Sequence, residues 1–176
     1  MEAKEVILRS LEESQGYLTK ALDGLTKEEI ASSPKEGYNS IAFILWHMTR
    51  AEDVWVNRVI RRQNEVYEVE GWQAKLGTPV KDSGARYTKE QLEAWPVPKL
   101  EFLRGYANSV REKTLTLLHS ITDEKLSEVS RTDPSTDTVG AMLGHLITEI
   151  AMHVGQIDYL HGLYHGLDSA AHRYWR

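Results

Sequence analysis

The chain has 176 residues, of which 41% are hydrophobic and 27% charged, so it is long enough to bury a core of its own and is neither globally disordered nor fibrous. Its 26 acidic and 21 basic residues leave a net charge of -5, which argues against nucleic acid as a main partner. It contains no cysteine, so it offers no disulfide, no thiolate metal ligand and no thiol nucleophile.

Residues 1–9 carry Glu2, Lys4, Glu5 and Arg9 with no apolar stretch behind them, and so do not read as a secretory signal. The longest apolar run, residues 41–46, is far shorter than the ~20 residues that cross a bilayer. A cytoplasmic protein without a membrane partner is the expectation. Helical periodicity first covers residues 3–22. Thr26 with Glu29 then forms a capping-box pattern that predicts a short helix. Asn39 and Ser40 are start signals for a second long helix over residues 40–62. The connection over residues 63–97 holds Trp72 and Trp95 among its glycines and prolines, and a second capping box at Thr88 and Gln91. A packed crossover is the reading that suits those aromatics. Pro98 suits the first turn of a third helix over residues 98–120, which His119 closes where an imidazolium favours the helix dipole. Asp137 or Thr138 caps a fourth helix over residues 138–163. Strand-like alternation is absent. The predicted fold is all-α: a four-helix bundle with a long crossover between its second and third helices, in a single domain over residues 1–176.

Residues 25–53 echo residues 121–151. Leu25-Thr26-Lys27-Glu28 lies beside Ile121-Thr122-Asp123-Glu124, and Ser40-Ile41-Ala42 beside Thr138-Val139-Gly140, with His47 opposite His145. Shared capping chemistry explains this as well as a duplicated hairpin does.

The chemistry concentrates on the second and fourth helices. At 100° per residue, Leu146, Met142 and Leu160 fall within about 20° of His153, and Glu149 about 40° to one side. On the second helix Val54, Phe43 and Ala51 fall within about 40° of His47, although Arg58 also lies near that line. A carboxylate buried among apolar side chains needs a cation, a donor network or a raised pKa. Glu149 and His153 stand one turn apart and reach a common ion, which His47 joins from the facing helix. Two histidines and one carboxylate leave coordination positions open, as in catalytic zinc sites. Singly, each histidine reads better as a hydrogen-bonded core residue; the three groups together favour a metal. His145, about 80° from His153, belongs to an outer shell or a pocket wall. His161, His165 and His172 read as surface or terminal residues, because Gly162 and Gly166 interrupt the helix. Trp46, Trp55, Met48 and Met152 read first as packing, with pocket lining as the alternative. No nucleophile elbow, phosphate loop, dinucleotide fingerprint or His-Glu-x-x-His motif is present.

The segments Trp46-His47-Met48-Thr49-Arg50-Ala51-Glu52 and His145-x3-Glu149-x3-His153-Val154-Gly155-Gln156 resemble the DinB-like superfamily of metal-binding four-helix bundles. That group includes bacterial low-molecular-weight-thiol S-transferases and the mycothiol-dependent maleylpyruvate isomerase. Its usual pattern on the last helix is similar to His-x3-His-x3-His-Arg-Gly-Gln; here Glu149 replaces the second histidine and Val154 the arginine. The isomerase branch is similar in using a His, Glu, His set. The resemblance implies His47, Glu149 and His153 as ligands of one divalent ion, zinc first, with nickel and iron as alternatives. It also implies an exogenous low-molecular-weight thiol as co-substrate, a small-molecule electrophile as partner, and a homodimer among the expected assemblies. A metal-assisted hydrolase and a non-catalytic metal-binding bundle stand as alternatives.

Overall fold

The computed structural model describes residues 3–79, 81–130 and 137–166. Helices account for the regular structure of the described residues, beside one isolated antiparallel bridge between Val129 and Thr138. In chain order they are α1 (Ala3–Ala21), α2 (Lys27–Ala31), α3 (Ile41–Asp53) with a π-helical continuation (Val54–Ile60), α4 (Val66–Val69), α5 (Trp72–Leu76), α6 (Lys89–Glu93), α7 (Leu100–Ser120), α8 (Asp123–Ser127) and α9 (Val139–His165).

The caps place most of these boundaries. Thr26 and Thr88 form reciprocal capping boxes with Glu29 and Gln91, while Ser40, Thr122 and Thr138 accept the free N–H of the third residue of α3, α8 and α9. The third long helix starts later than its proline suggests, with Lys99 as the capping residue and Pro98 before it. The echoed segments are structurally alike: Thr26 and Thr122 each cap a short helix, and Ser40 and Thr138 each cap the long helix next in the chain.

The four long helices α1, α3, α7 and α9 form the bundle. α9 packs on α1 and α3, and α7 packs on α3 and α1, so the order around the bundle is α1, α9, α3, α7. Helices consecutive in sequence need not be neighbours here: α1 and α3 face each other across one diagonal, α7 and α9 across the other, and the two halves of the chain interleave. The core between them contains Leu11, Trp46, Leu103, Leu118, Leu143, Leu146 and Ile150. The crossover is packed as expected: Trp72 and Trp95 are buried, and Trp95 lies against Phe43 and Trp46 of α3.

The second bundle helix departs from a straight α-helix. From Val54 to Ile60 it widens to π geometry, with Arg61 N–H bonded to the Val56 carbonyl five residues back at 2.9 Å. Each π turn takes an additional residue and rotates the residues beyond it. Arg58, which a straight helix puts on the His47 stripe, is turned outward and pairs with Glu65 at 2.9 Å. The helix is also buried on nearly every side. Arg50, Glu52, Asp53 and Asn57 lie inside, on faces that a two-sided helix would give to solvent.

Each of these buried charges has partners. Asp53 accepts from the backbone N–H of Val66 (3.0 Å) and Tyr67 (2.9 Å), from Asn57 and from the Tyr106 hydroxyl (2.8 Å). The start of the crossover is thereby bound to α3. Burial, followed by the charge of Asp53, holds the Tyr106 phenol well above its ordinary pKa, so it remains a donor. Glu52 receives both arms of Arg111 at 2.9 Å, and Arg111 also donates to the Leu11 carbonyl at 3.0 Å, joining α3, α7 and α1.

Candidate metal centre

α3 and α9 run antiparallel, because His47 meets Glu149 and His153 while Trp55, further along the first helix, meets His145 earlier on the second. Ser40 and Thr138 start the two helices and so fix which residues face one another. The predicted trio converges: one ligand atom from each of His47, Glu149 and His153 lies within 4.8 Å of the other two. His47 Nε2 is 3.7 Å and His153 Nε2 3.1 Å from Glu149 Oε1, and the imidazole rings stand nearly perpendicular at 88°. The side chains of His47, Glu149 and His153 are only 18%, 20% and 13% exposed, so the site is sheltered but reachable.

The hydrogen bonds on the far side of each ring decide what the near side offers. His47 Nδ1 meets the backbone carbonyl of Ser83. A carbonyl only accepts, so Nδ1 carries the proton, and in a neutral ring the Nε2 lone pair points at Glu149. His153 Nδ1 meets Gln156 Oε1 at 2.8 Å, which leaves its Nε2 facing the same carboxylate. With both rings neutral and protonated at Nδ1, two imidazole lone pairs and a carboxylate oxygen face one another, an arrangement relieved by a cation among them or by a proton shared between His153 Nε2 and Glu149 Oε1. A divalent ion fits the arrangement: ligand atoms about 2.0–2.1 Å from a tetrahedral ion stand roughly 3.3 Å apart, close to the spacings seen here. The set is also the outer-shell arrangement of metal-bound histidines, each held at its second nitrogen by an acceptor.

Comparison with known proteins identifies the family and the fold. A family model described as the DinB superfamily matches residues 10–157. The chain belongs to the DinB superfamily. No curated protein matches it. Among solved structures it is similar to one described as the conserved protein of locus from Enterococcus faecalis, with a TM-score of 0.84 and 21% identity over 94% of this chain and 99% of that one. At that identity the similarity establishes the shared fold. In this DinB chain the metal-capable trio joins α3, from the first half of the bundle, to α9, from the second.

The remaining predicted positions divide between pocket, core and surface. His145 is not a ligand; its ring stacks on Trp55 at 4.7 Å between centroids, and both line a cleft of about 250 Å³ with Met142 and Ala141. It is a pocket wall, and within the echo the counterpart of His47 is thus not the residue that meets it. His161 corrects the expectation of a surface residue: it is 4% exposed, and its Nδ1 bonds the Ala21 carbonyl at 2.8 Å, tying α9 to the end of α1. Gly162 does not interrupt the helix there, since α9 continues to His165. His165 is exposed and pairs with Glu29 at 3.2 Å, and His119 is exposed at the end of α7. His172 lies outside the described residues. Trp46 and Met48 are core residues, whereas Met152 is exposed and lines neither the Trp55–His145 cleft nor the groove between α1 and α9. Sequence reasoning missed Gln156 and Ser83 as partners of the trio. Gln156 was within reach, one turn beyond His153; Ser83 acts through its backbone, which leaves no mark in residue type.

No helix among the described residues is long and apolar enough to cross a membrane.

Proposed function

We propose that this protein is a metal-dependent S-transferase, or thiol-dependent isomerase, that works on an exogenous low-molecular-weight thiol and a small electrophile. The observation that carries the reading is the convergence of His47 Nε2, Glu149 Oε1 and His153 Nε2 in a chain with no cysteine. Three protein ligands leave room for an exogenous one. A divalent ion held by these residues, zinc first, supplies the positive charge that keeps a coordinated thiol as thiolate without a general base. The chain's own part is positioning. His47 is oriented by Ser83 and His153 by Gln156, and Glu149 brings a negative charge that offsets half of a divalent ion's. Phe43 lies one turn before His47 with its ring parallel to the imidazole at 6.2 Å between centroids. The Trp55–His145 cleft, about one helical turn from Glu149, offers a surface for the electrophile.

Two measurements test the proposal. Elemental analysis of protein purified without nickel resin is expected to find about one zinc, nickel or iron ion per chain. In cobalt-substituted protein, glutathione, mycothiol, bacillithiol or coenzyme A is expected to shift the visible spectrum. If none does, and a metal-dependent ester or amide hydrolysis is found, the transferase reading is wrong and the open site activates water.

A further inference from the structure

The carbonyl that meets His47 belongs to Ser83, in the irregular crossover between α5 and α6, where no helix holds the backbone in place. A ligand imidazole oriented by an unrestrained loop would be poorly fixed. The loop, however, is bound on three sides, and the bonds converge on Asp82. The Asp82 carbonyl accepts from Arg50 Nε at 2.9 Å. Its Oδ1 accepts from the Gly84 N–H at 2.8 Å, folding the chain back over Ser83, and its Oδ2 accepts the hydroxyl of Tyr87.

The anchors are themselves rigid. Arg50 is 1% exposed, pairs with Glu65 at 2.7 Å, donates to Tyr106 at 3.1 Å and lies 4.0 Å over the ring of Tyr67. Burial, then the hydrogen bond to Asp82, pushes the Tyr87 phenol above its ordinary pKa, so it stays a donor throughout the neutral range. Gly84 has φ +75°, and a Cβ there would lie 2.7 Å from Trp46 and 2.8 Å from Phe43. The turn therefore rests directly on two aromatic rings of α3 in the turn before His47, at a distance only glycine permits.

We propose that Asp82 is a positioning residue for the metal centre: it holds the Ser83 carbonyl against His47 Nδ1 and so presents Nε2, with its lone pair free, to the ion. Which ring nitrogen of a histidine carries the proton is set by the hydrogen bond made at the other. Without the Ser83 carbonyl, the neutral ring of His47 is free to interconvert between its two tautomers, and only one of them can bind a metal through Nε2. His153 has a separate partner in Gln156, so the effect is confined to one of the two histidines. The inference rests on the metal-binding reading for the ion, but the tautomer of His47 is a property of the metal-free protein.

The test uses full-length protein with Asp82→Ala, Asp82→Asn and Tyr87→Phe. Affinity for Zn²⁺ is measured by chelator competition, and the ring-nitrogen chemical shifts of the metal-free protein by NMR at mildly alkaline pH. Asp82→Ala, by releasing the Ser83 carbonyl, is expected to weaken Zn²⁺ binding by more than twofold and by up to the about 10- to 100-fold usual for loss of an outer-shell partner itself. Asp82→Asn, which keeps an acceptor for Gly84, should restore part of it, and Tyr87→Phe, with a single donor removed, covers the case in which the alanine variant does not fold. In wild type, His47 should show the Nδ1–H form; in the variants its nitrogen shifts should move toward a mixture while those of His153 stay put. Zn²⁺ affinity within twofold of wild type together with unchanged His47 shifts would overturn the inference and leave the metal centre standing. Wild-type protein that binds no Zn²⁺ would overturn the metal reading instead, and the NMR comparison would then decide the role of Asp82 alone.

Discussion

Arg111→Met is a sharp test of how the bundle is held together, because Arg111 sits where three helices meet. Its Nε and Nη2 donate to the two oxygens of Glu52 at 2.9 Å and its Nη1 to the Leu11 carbonyl at 3.0 Å, and Arg111 and Glu52 are 8% and 4% exposed. Methionine fills most of the aliphatic space but leaves the Glu52 carboxylate buried without a counter-charge. Removing one partner of a buried pair costs about 3–5 kcal/mol, and for a chain of this size each kcal/mol lowers the melting temperature by about 2–4 °C, so a drop of roughly 6–20 °C is expected. Replacing the whole pair, in Glu52→Leu with Arg111→Met, should recover most of the loss, because apolar packing does about as well as a buried ion pair once neither charge is left behind. Thermal and urea unfolding followed by circular dichroism measure both. A single variant that loses less than about 1 kcal/mol, as an exposed pair would, or a double variant no more stable than the single one, would refute the reasoning. Metal affinity should not respond, since Glu52 points about 140° away from His47 around α3.

Glu149→Gln keeps the volume and removes the charge, so the fold should persist while zinc binding, followed by titration calorimetry, falls by more than the about 10- to 100-fold typical of an outer-shell loss. Glu149→Leu should leave the chelator-treated bundle at least as thermally stable as wild type, since a carboxylate that is only 20% exposed and lacks a cation works against folding. Glu29 is held below the ordinary carboxylate value of 4.5, first by the Thr26 backbone N–H; this support for the start of α2 is complete above that value and is lost as pH falls through the lower folded value. An NMR titration of the Thr26 amide should therefore show its midpoint below 4.5, and a midpoint at or above it would mean the capping box is not formed in solution.

The parts of this molecule legible in its sequence were those written in side chains close together along the chain. Thr26 with Glu29 and Thr88 with Gln91 each sit three residues apart and cap as their spacing predicts. Glu149 and His153 stand out because a helix puts both in an apolar stripe, and the stripe of Met142, Leu146, Ile157 and Leu160 is buried as its periodicity requires. The unread parts depended on partners distant in sequence. Glu52 and Asp53 look like solvent-facing charges until Arg111, Tyr106 and the backbone of Val66 and Tyr67 arrive from elsewhere. His161 looks like a terminal residue until the carbonyl of Ala21 reaches it. The π turn at Val54–Ile60 is invisible to a fixed 100° wheel, which for that reason put Arg58 on the wrong side.

The interleaving of the two halves has a consequence for how a newly made chain would acquire the proposed ion. His47 and Glu149 are separated by roughly 100 residues, so at about 5–20 residues per second the first emerges from the ribosome roughly 5–20 s before the second. Throughout that interval α3 carries a single imidazole, and when α9 appears it supplies only an adjacent pair on one helix. Neither half holds all three of these residues, and because α1 and α3 lie on a diagonal, the two long helices of the first half are not packed on each other in the finished bundle. Loading of the proposed ion would thus be deferred until translation has passed His153 and α9 has slotted between α1 and α3. On the metal reading proposed above, the ion would be taken up by finished chains, and an interrupted or clipped one would lack the means to sequester it.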